Sequence, residues 1–576
     1  MRRFLLLLAF AACCAASPQP RIHIQGGTEA LRENIRAHLN LSDQPCNLPP
    51  AGRQRLRKRI AKEVDAAARA LGYYHARIEK LAFQRSGECW ELLLQVDPGP
   101  RVHIAAVDLQ IEGEAAEDPE FERLRRNLPL RPGDPLRHDR YEALKLTFQN
   151  LALRRGYFDA RFRVHRLEVD PRSNRAFIRL VFDSGPRYRI GAIEIRQDIL
   201  DPDFVRRYLN VKPGDPYEAE RLALLHRRLS DSGYFTAVRV KTHPRPQPRP
   251  EVPVTVTLEP QKRRQYRFGL GFDTNTGPRL TFSYQDRYLN RRGHRWNSDL
   301  RLSFIDASLR AGYRIPLADP LREHLQLDAG LRRQNLDTFT SHQAALNAAY
   351  VHPRDRWNET LSLKLNYERS RTGGEDPVQS LLLLPQASWS RRQAKEVNGR
   401  ITRGFKFDFT VQGGATLSGN AVQFGRLRLW GKYVWPLPWR ARLVHRWEMG
   451  ALKSTRFANV PASFRFFAGG DDSIRGYGYQ RLGPRNAEGK VVGGRYLGVI
   501  SWEYEQMVWG NWGVAAFFDA GNAYDGFSGL GRATRFGAGV GLRWFSPVGL
   551  LRLDLATPVI HDEADLRIHF TFGALL

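Results

Sequence analysis

Arg465-Phe-Phe-Ala-Gly-Gly-Asp-Asp-Ser-Ile-Arg-Gly-Tyr-Gly-Tyr479 is a glycine-rich, charged stretch that interrupts a long series of alternating segments in the C-terminal half of the chain. The loop around it carries Gly469, Gly470, Gly476, Gly478 and Gly483 and reads as unable to build a core of its own. A long loop of this kind inside a patterned region is either functional or disordered. The flanking pattern decides what it interrupts.

From Gln265 onward, apolar and polar residues alternate with the period of a strand. Leu300, Leu302 and Phe304 alternate with Asp299, Arg301 and Ser303, and Phe536, Ala538, Val540, Leu542 and Trp544 with Arg535, three glycines and Arg543. Leu551, Leu553 and Leu555 oppose Arg552 and Asp554; Leu566, Ile568, Phe570 and Phe572 oppose Arg567, His569 and Thr571. A soluble sandwich would bury the apolar face, whereas a membrane barrel turns it to lipid. Trp296, Trp357, Trp435, Trp439, Trp509, Trp512 and Trp544 near segment ends fit aromatic girdles, and roughly sixteen segments of about nine to eleven residues fit an even-numbered barrel. No apolar run reaches the roughly eighteen residues of a spanning helix.

Residues 21–260 carry a repeat with a period of about eighty, suited to a small αβ unit. Gly72-Tyr-Tyr-His-Ala-Arg77 returns as Gly156-Tyr-Phe-Asp-Ala-Arg161 and Gly233-Tyr-Phe-Thr-Ala-Val238, each after a helical pattern, so the Gly is expected to cap a helix and the next residues to start a strand. Leu130-Arg-Pro-Gly-Asp-Pro135 recurs as Val211-Lys-Pro-Gly-Asp-Pro216, the signature of a turn between two helices. Val96-Asp-Pro-Gly-Pro-Arg101 and Phe182-Asp-Ser-Gly-Pro-Arg187 close the first two units.

Three motifs in order tie these regions together. Ile474-Arg475-Gly476-Tyr477 resembles the [Val/Ile]-Arg-Gly-[Phe/Tyr] signature of the Omp85 superfamily, Ser501-Trp-Glu503-Tyr504 its Ser-x-Glu strand motif, and Phe517-Phe-Asp519-Ala-Gly521 its Phe-x-Asp-x-Gly motif. The resemblance implies three N-terminal αβ POTRA domains (21–100, 101–186 and 187–260) followed by a 16-stranded antiparallel transmembrane β-barrel (265–576). A loop at 452–495 would fold into the lumen, with the motif residues Gly470, Asp471, Ile474, Arg475, Gly476 and Tyr477. Arg475 would meet a carboxylate of the inner wall, Asp519 first and Glu503 second, beside Phe517 and Gly521. A planar guanidinium can hold two carboxylates where a lysine cannot.

The family further implies a lateral gate between first and last strands, here Tyr266, Gly269 and Gly271 against Leu566, Ile568 and Phe570. The two glycines weaken strand pairing. Outer-membrane barrels commonly end on an aromatic residue, but this chain runs on past Phe572 as Gly573-Ala-Leu-Leu576, which hints at a last strand that stops early or turns inward. Three repeats most resemble the TamA branch. That branch implies help in inserting autotransporters and other barrel clients, outer-membrane lipids as surroundings, and a TamB-like, inner-membrane-anchored periplasmic partner. A transporter passing one dedicated client through the lumen and a passive channel are the alternatives.

The chain has 576 residues, a net charge of +29 and 4 cysteines. Met1-Arg-Arg followed by apolar Phe4 to Ala12 and small residues to Ala16 reads as a signal peptide, 1–16, so export is expected, and the resemblance implies the bacterial outer membrane with the repeats in the periplasm. Cys46 and Cys89 would then remain, and an oxidising compartment predicts one disulfide. Arginines spread along the whole chain argue against nucleic acid. No zinc spacing or nucleophile elbow is present, and Gly489-Lys490 lacks both the glycine spacing and the Ser or Thr of a phosphate loop. No enzyme, cofactor or metal is expected.

Overall fold

Each repeat turns where its glycine-tyrosine marker falls. In the computed structural model, which describes residues 19–576 except 42–43, 88, 247, 398–399, 527, 529–530, 547–548, 561–564 and 574–576, the first repeat contains helices α1 (Glu29–His38) and α2 (Pro50–Ala70). The second contains α3 (Pro119–Arg126) and α4 (His138–Arg155), and the third α5 (Pro202–Arg206) and α6 (Ala219–Asp231). The expected signal peptide, 1–16, lies outside the described residues. Gly72, Gly156 and Gly233 follow the second helix of each repeat at φ +87°, +87° and +72°, the left-handed region that glycine enters at no steric cost. The Pro-Gly-Asp-Pro turns lie between the paired helices; Asp134 accepts from the Arg131 N–H at 2.9 Å and Asp215 from the Lys212 N–H at 3.0 Å, closing each turn.

The strands of the repeats are β1 (Arg21–Gln25), β2 (Arg77–Ser86) and β3 (Cys89–Asp97), β4 (His103–Glu112), β5 (Arg161–Asp170) and β6 (Arg175–Asp183), and β7 (Arg189–Arg196), β8 (Phe235–Thr242) and β9 (Glu251–Pro260). They form three-stranded sheets in the orders β1-β3-β2, β4-β6-β5 and β7-β9-β8. Contacts divide the chain into two units. One contains residues 1–194, 211–224 and 240–255; the other contains 195–210, 225–239 and 256–576.

Sixteen further strands, β10 (Arg264–Asp273) to β25 (Arg567–Gly573), follow one another in sequence order and close into a barrel. The inside and outside of a soluble protein are exchanged. Along β21 (Tyr496–Trp509) and β22 (Trp512–Tyr524), Ser501, Glu503, Glu505 and Asp519 are buried while Ile500, Trp502, Tyr504, Val514 and Phe518 are exposed. Phe268 and Leu270 on β10 are 77% and 81% exposed. This is the pattern of a lipid-facing outer wall around a polar lumen, and it excludes the sandwich. Strand length differs from expectation. β15 (Phe339–Arg354) and β16 (Trp357–Thr372) have 16 residues each, and β17 (Val378–Val397) and β18 (Arg400–Gly419) have 20. Alternation continues beyond the length a tilted crossing requires, so this side of the wall projects past the hydrocarbon layer. The last strand has 7 residues; the chain beyond it, 574–576, lies outside the described residues.

Cys46 and Cys89 are joined by a disulfide that closes a 43-residue separation and packs on the core of Leu31, Ile35, Ile60, Leu92 and Leu94. Replacing both cysteines by serine should destabilise the first repeat by about 3–4 kcal/mol through the entropy returned to its unfolded chain. Amide hydrogen exchange on the full-length protein should show faster opening of residues 21–97 and unchanged protection in β6.

Candidate functional site

The loop between β20 (Ala441–Ser454) and β21 runs over 455–495; residues 452–454, expected in the loop, continue the strand, where Leu452 pairs with Arg426. It also differs from expectation in having a core, which it shares with the barrel wall. Val460, Phe464, Phe466, Ile474 and Leu482 pack on Leu382, Leu384, Phe424, Leu452 and Val499. Within the loop, Phe466 bridges Gly494 and Ala468 bridges Leu482, while the Arg465 guanidinium donates to the carbonyls of Ala458, Val460 and Val492 at 2.9–3.1 Å. Its first turn is tied to β16: Ser463 Oγ donates to Glu368 at 2.5 Å, and the Ala462 N–H to Ser370 at 3.1 Å.

Arg475 lies 1% exposed at the centre of this arrangement. Its Nε and Nη2 donate to the two oxygens of Asp519 at 2.7 and 2.9 Å, and its Nη1 to Glu503 at 2.7 Å and Asp554 at 3.1 Å. Its backbone N–H adds a bond to Asp519 at 3.1 Å. The guanidinium also stacks on Phe517, 3.4 Å from the ring centroid. A second buried guanidinium, Arg543, binds Glu503 at 2.6 Å and also pairs with Asp554. Two cations thus share three carboxylates in a buried site. Each charge is desolvated, and the bonds repay that cost only while every member is present. Both carboxylates named from the motifs, Asp519 and Glu503, hold Arg475. Asp554 and Arg543 were missed as partners, although the alternation had already placed both on the inward face.

Glycines make the space. A Cβ on Gly537 would lie 1.9 Å from the Arg475 carbonyl, one on Gly539 2.5 Å from the Phe517 ring, and one on Gly541 1.9 Å from the Asp554 carboxylate. These are the three glycines of the alternating segment in β23 (Arg535–Ser546). Gly476 sits at φ +93° with its absent Cβ 2.9 Å from the Thr557 carbonyl carbon. Ile474 is fully buried, and the Tyr477 hydroxyl donates to the Phe536 carbonyl at 3.4 Å. Gly521, at φ +150°, would bring a Cβ to 2.1 Å of the Gly498 carbonyl oxygen.

Asp471, four residues before Arg475, reaches the seam of the barrel. Its carboxylate accepts from the Thr274 hydroxyl at 3.2 Å and the Thr571 hydroxyl at 3.3 Å, and its N–H donates to Asn275 at 3.3 Å. His569 Nδ1 binds the same carboxylate at 2.5 Å while its Nε2 accepts from the Gly476 N–H at 3.0 Å, which sets the proton on Nδ1. One loop side chain therefore touches the turn after the first strand and the last strand together. Between β10 and β25 the described residues pair only Phe272 with Phe572 and Asp273 with Thr571, whereas β10 and β11 (Gly277–Asp286) pair along the full length of both strands. Phe570 meets Thr274 just past the paired rungs, its carbonyl accepting from the Thr274 N–H at 3.1 Å. Tyr266, Gly269 and Gly271 lie along the unpaired part of β10, Ile568 faces outward on β25, and Leu566 precedes that strand. The register therefore does not bring Gly271 opposite Ile568.

Residues 254–574 match the Omp85 superfamily domain, more than half of the chain. The chain belongs to the Omp85 superfamily. Residues 21–98 match the POTRA domain of TamA, domain 1, and residues 107–185 and 188–261 the POTRA repeat described as surface antigen variable number repeat. The barrel lies in the outer membrane, and the POTRA domains are periplasmic. The outer membrane protein assembly factor BamA of Nitratidesulfovibrio vulgaris is 33% identical over 133 residues, 22% of this chain and 17% of that protein's length. Among solved structures, BamA of Haemophilus ducreyi lacking POTRA domains 1–3 superposes with a TM-score of 0.68 at 15% identity, over 82% of this chain and 99% of that one, a likeness of fold. CdiB of Acinetobacter baumannii gives a TM-score of 0.46 at 14% identity, over 82% and 90% of the two chains.

Arg475→Ala leaves three buried carboxylates around a single cation and should cost about 3–5 kcal/mol. Arg475→Lys should recover little of it, because one ammonium cannot span Asp519 and Glu503. Both variants should speed tryptic cleavage at Arg481, Arg485 and Lys490, already exposed on the loop, in a barrel that still shows its heat-modifiable gel shift. Equal nicking rates in wild type and Arg475→Ala would show that the cluster does not hold the loop.

Proposed function

We propose that this protein is an outer-membrane translocation and assembly factor that helps insert autotransporters and other barrel proteins through a seam between β10 and β25. The observation that carries this reading is the seam itself: among the described residues two rungs join β10 to β25, whereas β10 and β11 pair along their full length, and a loop residue bonds to both sides. An edge strand with unmet N–H and C=O groups is a template for another strand. A client hairpin that pairs with β10 would bury its own edge as it leaves sideways into lipid. Its folding supplies the free energy, so no nucleotide enters the scheme. Edge strands of the POTRA sheets would receive extended clients by the same backbone chemistry, and the TamA-type first domain supports a TamB-like periplasmic partner.

A second reading, passage of a dedicated client through the lumen, is favoured by a cavity of ≈ 670 Å³ whose lining includes Asp306, Arg310, Asp328, Arg332, Asn347 and Lys364. On that reading the loop, rather than the seam, must move.

A Phe272→Cys/Phe572→Cys pair, placed at an observed rung, separates the two. Oxidised, it should abolish client insertion and growth rescue, with recovery in reductant. Full cross-linking with undiminished insertion would remove the seam from the mechanism and leave the lumen route.

A further inference from the structure

The three sequence markers of the repeats meet at one joint, and the joint is built twice in the same way. In the first, Arg101 Nε donates to the Leu71 carbonyl, just before Gly72, at 2.8 Å, and its guanidinium lies 5.2 Å from the Tyr73 ring. In the second, Arg187 Nε donates to the Arg155 carbonyl, just before Gly156, at 3.0 Å, with its guanidinium 5.9 Å from the Tyr157 ring. The next residue continues the match: the N–H of Val102 and that of Tyr188 donate to the carbonyls of Gly72 and Gly156, each at 2.9 Å. The Pro-Gly-Asp-Pro turn of the following repeat closes over it, through Leu136 N–H to the Val102 carbonyl at 2.9 Å and Tyr217 N–H to the Tyr188 carbonyl at 3.0 Å. Glycine is required because a Cβ would lie 2.7 Å from the Leu136 carbonyl at position 72 and 2.7 Å from the Tyr217 side chain at position 156. The Gly-Tyr turn is therefore a socket for an arginine: a carbonyl at the helix end accepts the guanidinium and a tyrosine ring covers it.

The third socket has no such linker. After β9 the chain reads Gln261-Lys-Arg263, without the Gly-Pro-Arg marker, and Arg263 turns to Asp286 at 3.0 Å. The socket is filled all the same. Arg295, the first residue of β12 (Arg295–Leu302), donates from Nη2 to the Ser232 carbonyl, just before Gly233, and its guanidinium lies 4.1 Å from the Tyr234 ring. The turn before β12 completes the contact. The Tyr234 hydroxyl donates to the Gly293 carbonyl at 2.5 Å, and a Cβ on Gly293, at φ +74°, would lie 2.4 Å from the Phe204 ring. Around it, Arg291 pairs with Asp201 at 3.1 Å and Arg228 with Asp319 at 3.0 Å.

We propose that Arg295 is the barrel's docking residue for the third POTRA domain, occupying the site that a linker arginine of the next domain occupies in the first two. The barrel thereby takes the place of a fourth repeat. Residues 225–239 are held on Arg295 and the turn before β12, and on Asp319 through Arg228; if the seam opens as proposed above, movement of this turn would act on the wall two strands from β10. Arg295 acts through position, and a lysine should not replace it, since it must both donate to a carbonyl and stack on a ring.

The test is a spin-label distance on the full-length protein in lipid nanodiscs, between Asp231→Cys and Ser418→Cys. The parent pair should give one narrow distance peak. Arg295→Ala, Arg295→Lys and, from the socket side, Tyr234→Leu should each lose it to a broad distribution, while the exposed neighbour Arg292→Ala retains it. Folding of the barrel is checked by its heat-modifiable gel shift, and if Arg295→Ala fails that check Tyr234→Leu decides. A narrow peak retained in a folded Arg295→Ala or Tyr234→Leu barrel would overturn the proposal.

Discussion

A guanidinium buried among carboxylates inside a membrane barrel leaves the surrounding structure little freedom. Arg475 is held by Asp519, Glu503 and Asp554, and Arg543 holds two of the same three. These charges are buried, so removing one strands the others. The constraint explains features far apart in sequence. β23 carries glycines on its inner face to admit the Arg475 backbone, the Phe517 ring and the Asp554 carboxylate, and β21, β22 and β24 (Gly549–Ile560) each present an acid to the cluster. The loop then shares a core with the wall on one side and presents Asp471 to the seam on the other.

The seam is the counterpart of that rigidity. Ordinary barrel strands bond their neighbours along their length, which removes every edge. Here the described residues of the closing pair share two rungs, and Asp471 of the loop bonds to both sides of the seam. On the proposed lateral route, opening the seam would require Asp471 to release Thr274 and Asn275 on one side or Thr571 and His569 on the other, while the Arg475 cluster stays intact.

Much of this was legible in the sequence because it is written at short range. The period of two gave the barrel and its lipid-facing side, and the recurring Gly-Tyr and Pro-Gly-Asp-Pro markers gave three αβ units, since each marker answers a local backbone need. Arg475, Asp519 and Glu503 were found through motifs that lie close together. Asp554 is 79 residues from Arg475 and carries no motif; alternation told its face, whereas only strand register tells its partner. The same holds for Asp471 with Thr571 and for Arg295 with Tyr234. The expected gate residues Gly271 and Ile568 lie on the two strands of the seam but not opposite each other, because the pattern of a strand tells which face a residue shows and not which residue it meets across the seam. Strand lengths were underestimated because polar alternation continues past the membrane in β17 and β18.

The most direct measurement is the conductance of the purified protein in planar bilayers, comparing wild type with Arg475→Ala and Asp519→Ala in barrels shown to be folded. If the charge cluster keeps the loop in the lumen, wild type should rest closed with brief openings, and both variants should hold a persistent ohmic pore. A wild type as open as its variants, or variants that stay closed, would contradict a lumen sealed by Arg475.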